Sequence, residues 1–477
     1  MNFQDNTPYD ILTEKWNPVL NHDALPSIQD DYRKKVTAVL LENQEQAIRA
    51  QHLTETMESG NLGMPQIFSN NGGVAGYDPV LISLVRRAMP NLMAYDICGV
   101  QPMTAPTGLI FAMRANYGGC AYGSTLAYAE AMFQEPQAEW GGSGWTLGTD
   151  FKGATAGYGL SAGYTMGSPA YIRALSAAAF SRFRGILTAA GEDIGGSSTT
   201  YGSKYNTFNQ MAFSIDRIAV QARTRALSSN YTIELAQDLK AVHGLDAEAE
   251  LANLLSTEIL AEINREIVKT VYYVAKAGSQ QPDIGTKGTY DLVSESDGRW
   301  SAERFRGLSF QIERECNAIA KETRRGKGNF IICDSDTAAA LAMSGFMSLS
   351  PAIAPQINGD DTQSTFAGVL SGKIRVYIDP YAPLGINFFV AGYKGESPYD
   401  AGIFYCPYVP LQMVRAVDPD NFQPRIGFKT RYGVVANPYV LNGATPDGDA
   451  LTAGLNQYYR LTNVTNLHGA CAGGMPG

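Results

Sequence analysis

The chain has 477 residues, of which 45% are hydrophobic and 17% charged, and a net charge of -9. That length holds about two to four domains with ample core, and the charged share is below the ~25% of an average globular protein, as expected of a subunit that buries much of its surface in neighbours or of a chain rich in glycine loops. The negative balance argues against a dedicated nucleic-acid binder, and no run of about 18 apolar residues offers a membrane-spanning helix.

Residues 1–55 differ in character from the rest of the chain. The N-terminus MNFQDNTPYD is too polar for a signal peptide. Ile28, Tyr32, Val36, Val39, Leu40 and Ala47 fall near helical spacing among charged neighbours, which predicts one amphipathic helix over 27–52. Two organisations fit it: a detachable helical leader followed by an extended arm, or an N-terminal helix packed on the main domain. From 60 to 80 the Gly, Asn and Pro content opposes any regular element. A short helix ending near Pro90 comes next, then extended apolar runs around 92–100 and 108–116. Residues 117–210, with WGGSGW and eight glycines between Gly141 and Gly163, read as short strands and loops.

The strongest periodic signal lies beyond them. Leu251, Leu255, Ile259, Ile263, Ile267 and Val271 recur every fourth residue, and Leu254, Leu260, Val268 and Val274 widen the stripe. Asp246 suits the N-cap with Glu248 and Glu250 in the first turn, while Lys276 and a left-handed Gly278 suit the C-terminus. A helix over 247–277 is about 46 Å long at ~1.5 Å per residue, and it reads either as a core helix of an ordinary enzyme or as a spine that spans its domain. Beyond a polar connection at 279–300, Phe305, Leu308, Ile312, Cys316 and Ile319 mark a helix, and Asn329–Cys333 a strand. A helix over 335–344, a flexible stretch at 345–365 and strands at KIRVYIDP and NFFVAGYK complete this part. IFYCPYVPLQMVRAV and GFKTRYGVVANPYV look like returning strands, and the last 30 or so residues like a loosely ordered tail.

Sites for chemistry are sparse. Gly159-Leu160-Ser161-Ala162-Gly163 matches the GxSxG nucleophile elbow but lacks the buried strand that the elbow needs before the serine, so a serine hydrolase using Ser161 is the weak enzymatic alternative. His22, His52, His243 and His468 are isolated, with no HExxH and no phosphate loop, so neither a metal nor a cofactor is expected. Cys98, Cys120, Cys316, Cys333, Cys406 and Cys471 show no CxxC spacing and read as reduced, mostly buried thiols of a cytosolic protein. The one basic cluster, Arg324-Arg325-Gly326-Lys327, reads as a solvated turn or a subunit contact.

Several long segments occur in a recognisable order: ILTEKWNPVL, SLVRRAMPNLMAYDICGVQPMTAPTGLIFAMRANYG, IELAQDLKAVHGLDAEAEL with STEILAEINREIV, GKGNFII, FAGVLSGKIRVYIDPYA, AGYKG with DAGIFYCPYVPL, and DPDNFQPRIGFKTRYG. Together they span most of residues 10–440 and closely resemble the major capsid proteins of T-even-type myoviruses, tailed phages with contractile tails. The match is weakest over 117–210. The resemblance implies a structural protein, not an enzyme, with an α+β Hong Kong 97-type phage capsid fold: long spine helix, extended N-arm and loop, and an inserted domain. It divides the chain into a propeptide (1–55), an N-terminal arm and start of a peripheral domain (56–116), and an extended loop with an inserted outer-surface domain (117–212). The rest of the peripheral domain (213–300), an axial domain (301–399), returning peripheral strands (400–440) and a C-terminal tail (441–477) make up the remainder.

The resemblance further implies hexamers of an icosahedral or elongated head that encloses double-stranded DNA without sequence-specific binding. Its partners would be other copies and neighbouring capsomers, vertex protein, portal, internal scaffold, prohead protease and outer decoration proteins. It would be assembled in the host cytoplasm and located in the virion capsid, without membrane insertion. The pentameric vertex paralogue of the same family is the nearer alternative. Maturation in the family proceeds by a cut after a Glu that stands two residues beyond Leu or Ile; Leu53-Thr54-Glu55 fits, with Thr56 as the new N-terminus. Leu12-Thr13-Glu14, Leu40-Leu41-Glu42 and Leu260-Ala261-Glu262 also match, but Glu55 is the last match before the Gly-rich arm, where extended backbone is expected to be accessible.

Overall fold

The computed structural model describes residues 8–21, 28, 30–58, 92–118, 131, 210–296, 300–349, 365–383, 385–397, 399–418, 423–438 and 451–467. Contacts divide the chain into two compact units, residues 1–110 with 218–477 and residues 111–217. The described part is an α+β protein.

Two helices open the first unit, α1 (Pro8–Leu20) and α2 (Asp31–Glu58). The second runs past the expected end at 52. Polarity alone does not stop a helix, and HLTETME holds no glycine or proline; the first is Gly60. The apolar run 92–100 is not one extended segment: a single turn, α3 (Ala94–Ile97), precedes β1 (Gly99–Val100). A short apolar run does not by itself distinguish buried helix from strand, and here the Cys98 N–H closes the turn on the Ala94 carbonyl at 2.9 Å. Next come β2 (Thr107–Gly118), β3 (Gln210–Gln221) and β4 (Arg223–Asn230), then α4 (Ile233–Val242).

The spine is α5 (Ala247–Val274). The Asp246 carboxylate accepts from the Glu248 N–H at 3.2 Å, capping it as expected. Leu255, Ile259, Ile263, Ile267 and Val271 are all buried, whereas Leu254 is exposed. The C-terminal end differs from expectation. The chain turns extended at Ala275, and Lys276 lies in β5 (Ala275–Ala277) rather than in a last helical turn. Gly278 is not left-handed. Its glycine answers to crowding instead, since a Cβ there would stand 2.2 Å from Thr462 Oγ1 and 3.1 Å from Glu315 Oε2. Pairing with a distant strand overrides the local helix-ending signal.

The remaining elements are β6 (Thr289–Asp291), α6 (Ser301–Thr323), β7 (Phe330–Cys333), α7 (Ser335–Met343), β8 (Met347–Leu349), β9 (Thr365–Leu370), β10 (Ile374–Ile378), β11 (Asn387–Gly392), β12 (Ile403–Val417), β13 (Pro424–Ala436) and β14 (Asn456–Thr465). They form a four-stranded sheet, β1-β12-β13-β4, and an eight-stranded sheet, β5-β14-β11-β7-β10-β9-β8, with β6 also on β14. The segment 345–365, expected to be flexible, thus contains a strand, β8, in its described part. The expected loose tail is corrected as well: β14 lies inside the larger sheet, antiparallel to β11 and parallel to β5 and β6, with Tyr459 fully buried.

The larger sheet is covered on both faces, which explains the unbroken apolar run FIIC. Phe330 and Ile332 of β7, and Phe388 and Val390 of β11, share a core with the spine; Ile331, Cys333, Phe389 and Ala391 share one with Leu308, Ile312, Cys316 and Ile319 of α6. Strand alternation thus assigns neighbouring residues to two cores. On its other flank the spine meets the four-stranded sheet, where Arg225 of β4 binds Glu262 at 3.2 Å and Glu266 at 2.7 Å. Arg265 binds Asp379 at 2.7 Å, tying the spine to the chain just after β10.

Candidate functional site

The sequence VTAVLL, residues 36–41, is too uniformly apolar for a one-sided helix, and the fold shows why: all six residues are buried, as in a helix enclosed by other elements. Trp16 and Leu20 of α1 join Val36, Ala38, Leu40 and Leu41 in the cluster built on the spine. Of the two organisations open for the N-terminal helix, this is packing on the main domain.

Polar anchors fix its position. The Tyr32 hydroxyl donates to the Val100 carbonyl on β1. Arg33 donates to Asp96 at 2.7 Å and lies over the Tyr95 ring. The buried Asn43 amide donates to the Met103 carbonyl at 2.8 Å and to the Tyr408 carbonyl at 2.9 Å, joining the chain after β1 to β12. Burial pushes the Tyr32 and Tyr95 hydroxyls well above their ordinary range, so both stay neutral and Tyr32 keeps the proton it donates. Between the helices, Lys15 binds Glu42 at 2.6 Å and Glu45 at 2.7 Å.

All four Leu-x-Glu matches are helical. Glu14 is in α1, Glu42 in α2 beside the buried Leu40 and Leu41, and Glu262 in α5 beside the buried Leu260. Leu53, Thr54, Glu55 and Thr56 lie in the last turns of α2, not in extended backbone. Their position near the helix end still separates them from the other three, because terminal turns lack part of the hydrogen-bond ladder and open first.

An exposed surface of another kind lies on the β2–β3 ribbon. Ile110 on one strand and Ile218 and Val220 on the other are buried, while Leu109, Phe111 and Met113 and then Met211, Phe213 and Ile215 are exposed. These six are every second residue of their stretches, and alternate residues of a strand share one face.

The candidate chemical sites fare differently. Ser161 and its GxSxG motif lie outside the described residues, as do Cys120, Cys471, His22 and His468. Among the described residues no group of His, Cys, Asp and Glu could hold a metal, and no helix is long and apolar enough to cross a membrane. Cys98, Cys316 and Cys406 are buried free thiols whose pKa burial pushes up to about 12. That suppresses the reactive thiolate. In the basic cluster, Arg325 stands 3.7 Å from Asp400 and Lys327 pairs with Glu313, while Arg324 is exposed.

A buried polar node has no counterpart among the sequence expectations. Glu315 on α6 accepts from the Ser279 N–H at 3.0 Å, Gln281 at 2.7 Å, Gln311 at 2.9 Å and Arg460 of β14 at 3.3 Å. Arg460 also donates to Glu322 at 2.6 Å. The node joins the chain after the spine to α6 and to β14. The one signal for it in the sequence is a charged residue within the alternating stretch NQYYRLTNVT.

Residues 74–464 match the family model described as Major capsid protein Gp23. The chain is 36% identical to the major capsid protein of Enterobacteria phage T4, covering 96% of this chain and 98% of that protein. It is 37% identical to that of Vibrio phage KVP40, covering 96% and 100%. The T4 capsid vertex protein is 30% identical, but over only 51% of this chain and 57% of its own length. Among solved structures, the capsid of Myoviridae phage XM1 covers 77% of this chain and 90% of its own at 9% identity, with a TM-score of 0.36.

Proposed function

The chain belongs to the Gp23 family of major capsid proteins, structural proteins of the phage virion and not enzymes, and from that premise we propose that it forms the hexamers of a DNA-enclosing head and matures by losing its N-terminus. The observation that carries the choice within the family is the extent of the match. Major capsid proteins align with 96% of this chain, and the T4 vertex protein with 51%, which favours the hexamer-forming subunit over the pentameric vertex paralogue. The hydrolase alternative based on Ser161 falls with family membership.

We read the fold as Hong Kong 97-type. The spine α5 with the four-stranded sheet is the peripheral domain, 301–399 the axial domain and 117–212 the extended loop with its insertion. The core that the spine shares with Tyr405 and Phe428 of the four-stranded sheet supports the first assignment, and the separate core of α6 on β7, β10 and β11 supports the second. The exposed apolar groups of the β2–β3 ribbon support contact with neighbouring copies, and repeated heterologous contacts close into rings. The net charge of -9 suits a wall that does not adhere to DNA packed beside it.

Maturation is read as hydrolysis of the Glu55–Thr56 peptide bond by a phage protease. One water is added, leaving a carboxylate on Glu55 and an amine on Thr56. Scaffold, portal and decoration proteins would be the further partners. N-terminal sequencing of protein from DNA-filled heads is expected to begin at Thr56; retention of residues 1–55 there overturns the maturation reading. Copy number tests the rest: hundreds per virion fit the hexamer subunit, and tens fit the vertex protein.

A further inference from the structure

The segment proposed for removal is not an appendage in this fold. Trp16, Leu20, Leu40 and Leu41 belong to the main hydrophobic cluster of the first unit, together with the spine. Asn43 is the donor to two carbonyls, one on the chain after β1 and one on β12. Arg33 is the nearer of two arginines on Asp96, at 2.7 Å against 3.4 Å for Arg375. A leader held only by a scaffold would show none of this. It would present an apolar stripe to its partner and make few contacts with its own body.

We infer that α1 and α2 up to Ala47 are an integral part of the core of the unassembled subunit, so that cutting the chain near Glu55 does not by itself release them. This rests on the maturation reading above and deepens it. Hydrolysis at Glu55 severs the covalent link, but the buried groups and the Tyr32, Arg33 and Asn43 hydrogen bonds all lie N-terminal to the cut and persist across it. Release then requires a change in the seat itself, and assembly of copies is the event that can supply one. The leader thereby orders the steps: a subunit cut before assembly keeps its leader, and a subunit cut within a shell can lose it.

Hydrogen exchange on the intact, unassembled full-length chain gives the first test. Amides of residues 36–44 are expected to be protected to the level of residues 259–271 in the spine. Exchange at the rate of an unstructured peptide, with the spine still protected, overturns the inference. The second test uses the full chain with a sequence-specific protease site inserted between Glu58 and Ser59, cut in solution below the assembly concentration. The leader is expected to co-elute with the body in gel filtration, and the variant Leu40→Asp to release it after the same cut. Separation of the wild-type leader on cutting overturns the inference. Neither test uses the phage protease or depends on Glu55, so a failure here is distinct from a failure of the maturation reading, which the N-terminus of virion protein decides.

Discussion

The two 28-residue helices, α2 and α5, are equal in length and held in different ways. The spine buries one stripe throughout and exposes Asn253, Thr257, Glu258 and Lys269 between its apolar turns. The leader helix buries every residue from Val36 to Leu41 and is anchored by Tyr32, Arg33 and Asn43, while its C-terminal turns carry the proposed cut. A helix with a regular stripe specifies its own orientation. A helix enclosed on all sides takes its orientation from the elements around it and its side-chain anchors. This difference separates the spine from the element that is proposed to be removed.

Proline at Ile263 tests the permanent half and carries the largest expected effect. It removes a mid-helix hydrogen bond and clashes with the preceding turn, at about 3 kcal/mol or more, and it also empties a fully buried site. Ile263→Pro should abolish assembled particles in electron micrographs, and normal shells would refute the spine assignment. Leu40→Ala is the matching test of the leader. At a fully buried position it should cost about 2–5 kcal/mol in the urea unfolding of the uncleaved chain. A change below ~0.5 kcal/mol would show α2 to be peripheral.

The pH dependence sharpens the comparison at the seat of the leader. Lys394 donates to the Tyr95 carbonyl, and burial pushes its pKa down to about 8 from an ordinary 10.5, with nearby Asp96 offsetting part of the shift. Between those values the unfolded chain binds more protons than the folded one, so this group makes stability rise with pH from about 8 to 10.5. Thermal midpoints measured across that window should lose this rise in Lys394→Met. The smallest effect is expected at Lys15, whose half-exposed ammonium bridges Glu42 and Glu45. Lys15→Ala should change stability by about 0–1 kcal/mol, and less in high salt. A larger loss in the same unfolding assay would make the α1–α2 contact electrostatic rather than apolar.

The spine stripe, its Asp246 cap, the buried face of α6 and the strands at Phe330–Cys333, Ile374–Ile378 and Asn387–Gly392 are legible in the sequence because each carries a local apolar pattern that burial then satisfies. The family is legible through long segments in order. Three features are not. Local signals place the end of α5 at Gly278, but Ala275–Ala277 pair with β14 across a large sequence separation. The strand NQYYRLTNVT sits between glycine-rich stretches that make the whole region look like a tail. The leader's anchors, a tyrosine, an arginine and an asparagine, are ordinary surface residue types until their partners on 96–103 and β12 are known.

The sequence by itself determined the spine, the buried face of α6 and the resemblance to a capsid family, because periodic burial and long ordered matches are both local records. Only the tertiary structure decided that α1 and α2 up to Ala47 complete the core they are proposed to leave, and that Arg460 and Glu315 join β14 to the chain after the spine. Those outcomes depend on which distant carbonyls and carboxylates meet each side chain, and neither spacing nor composition records such meetings.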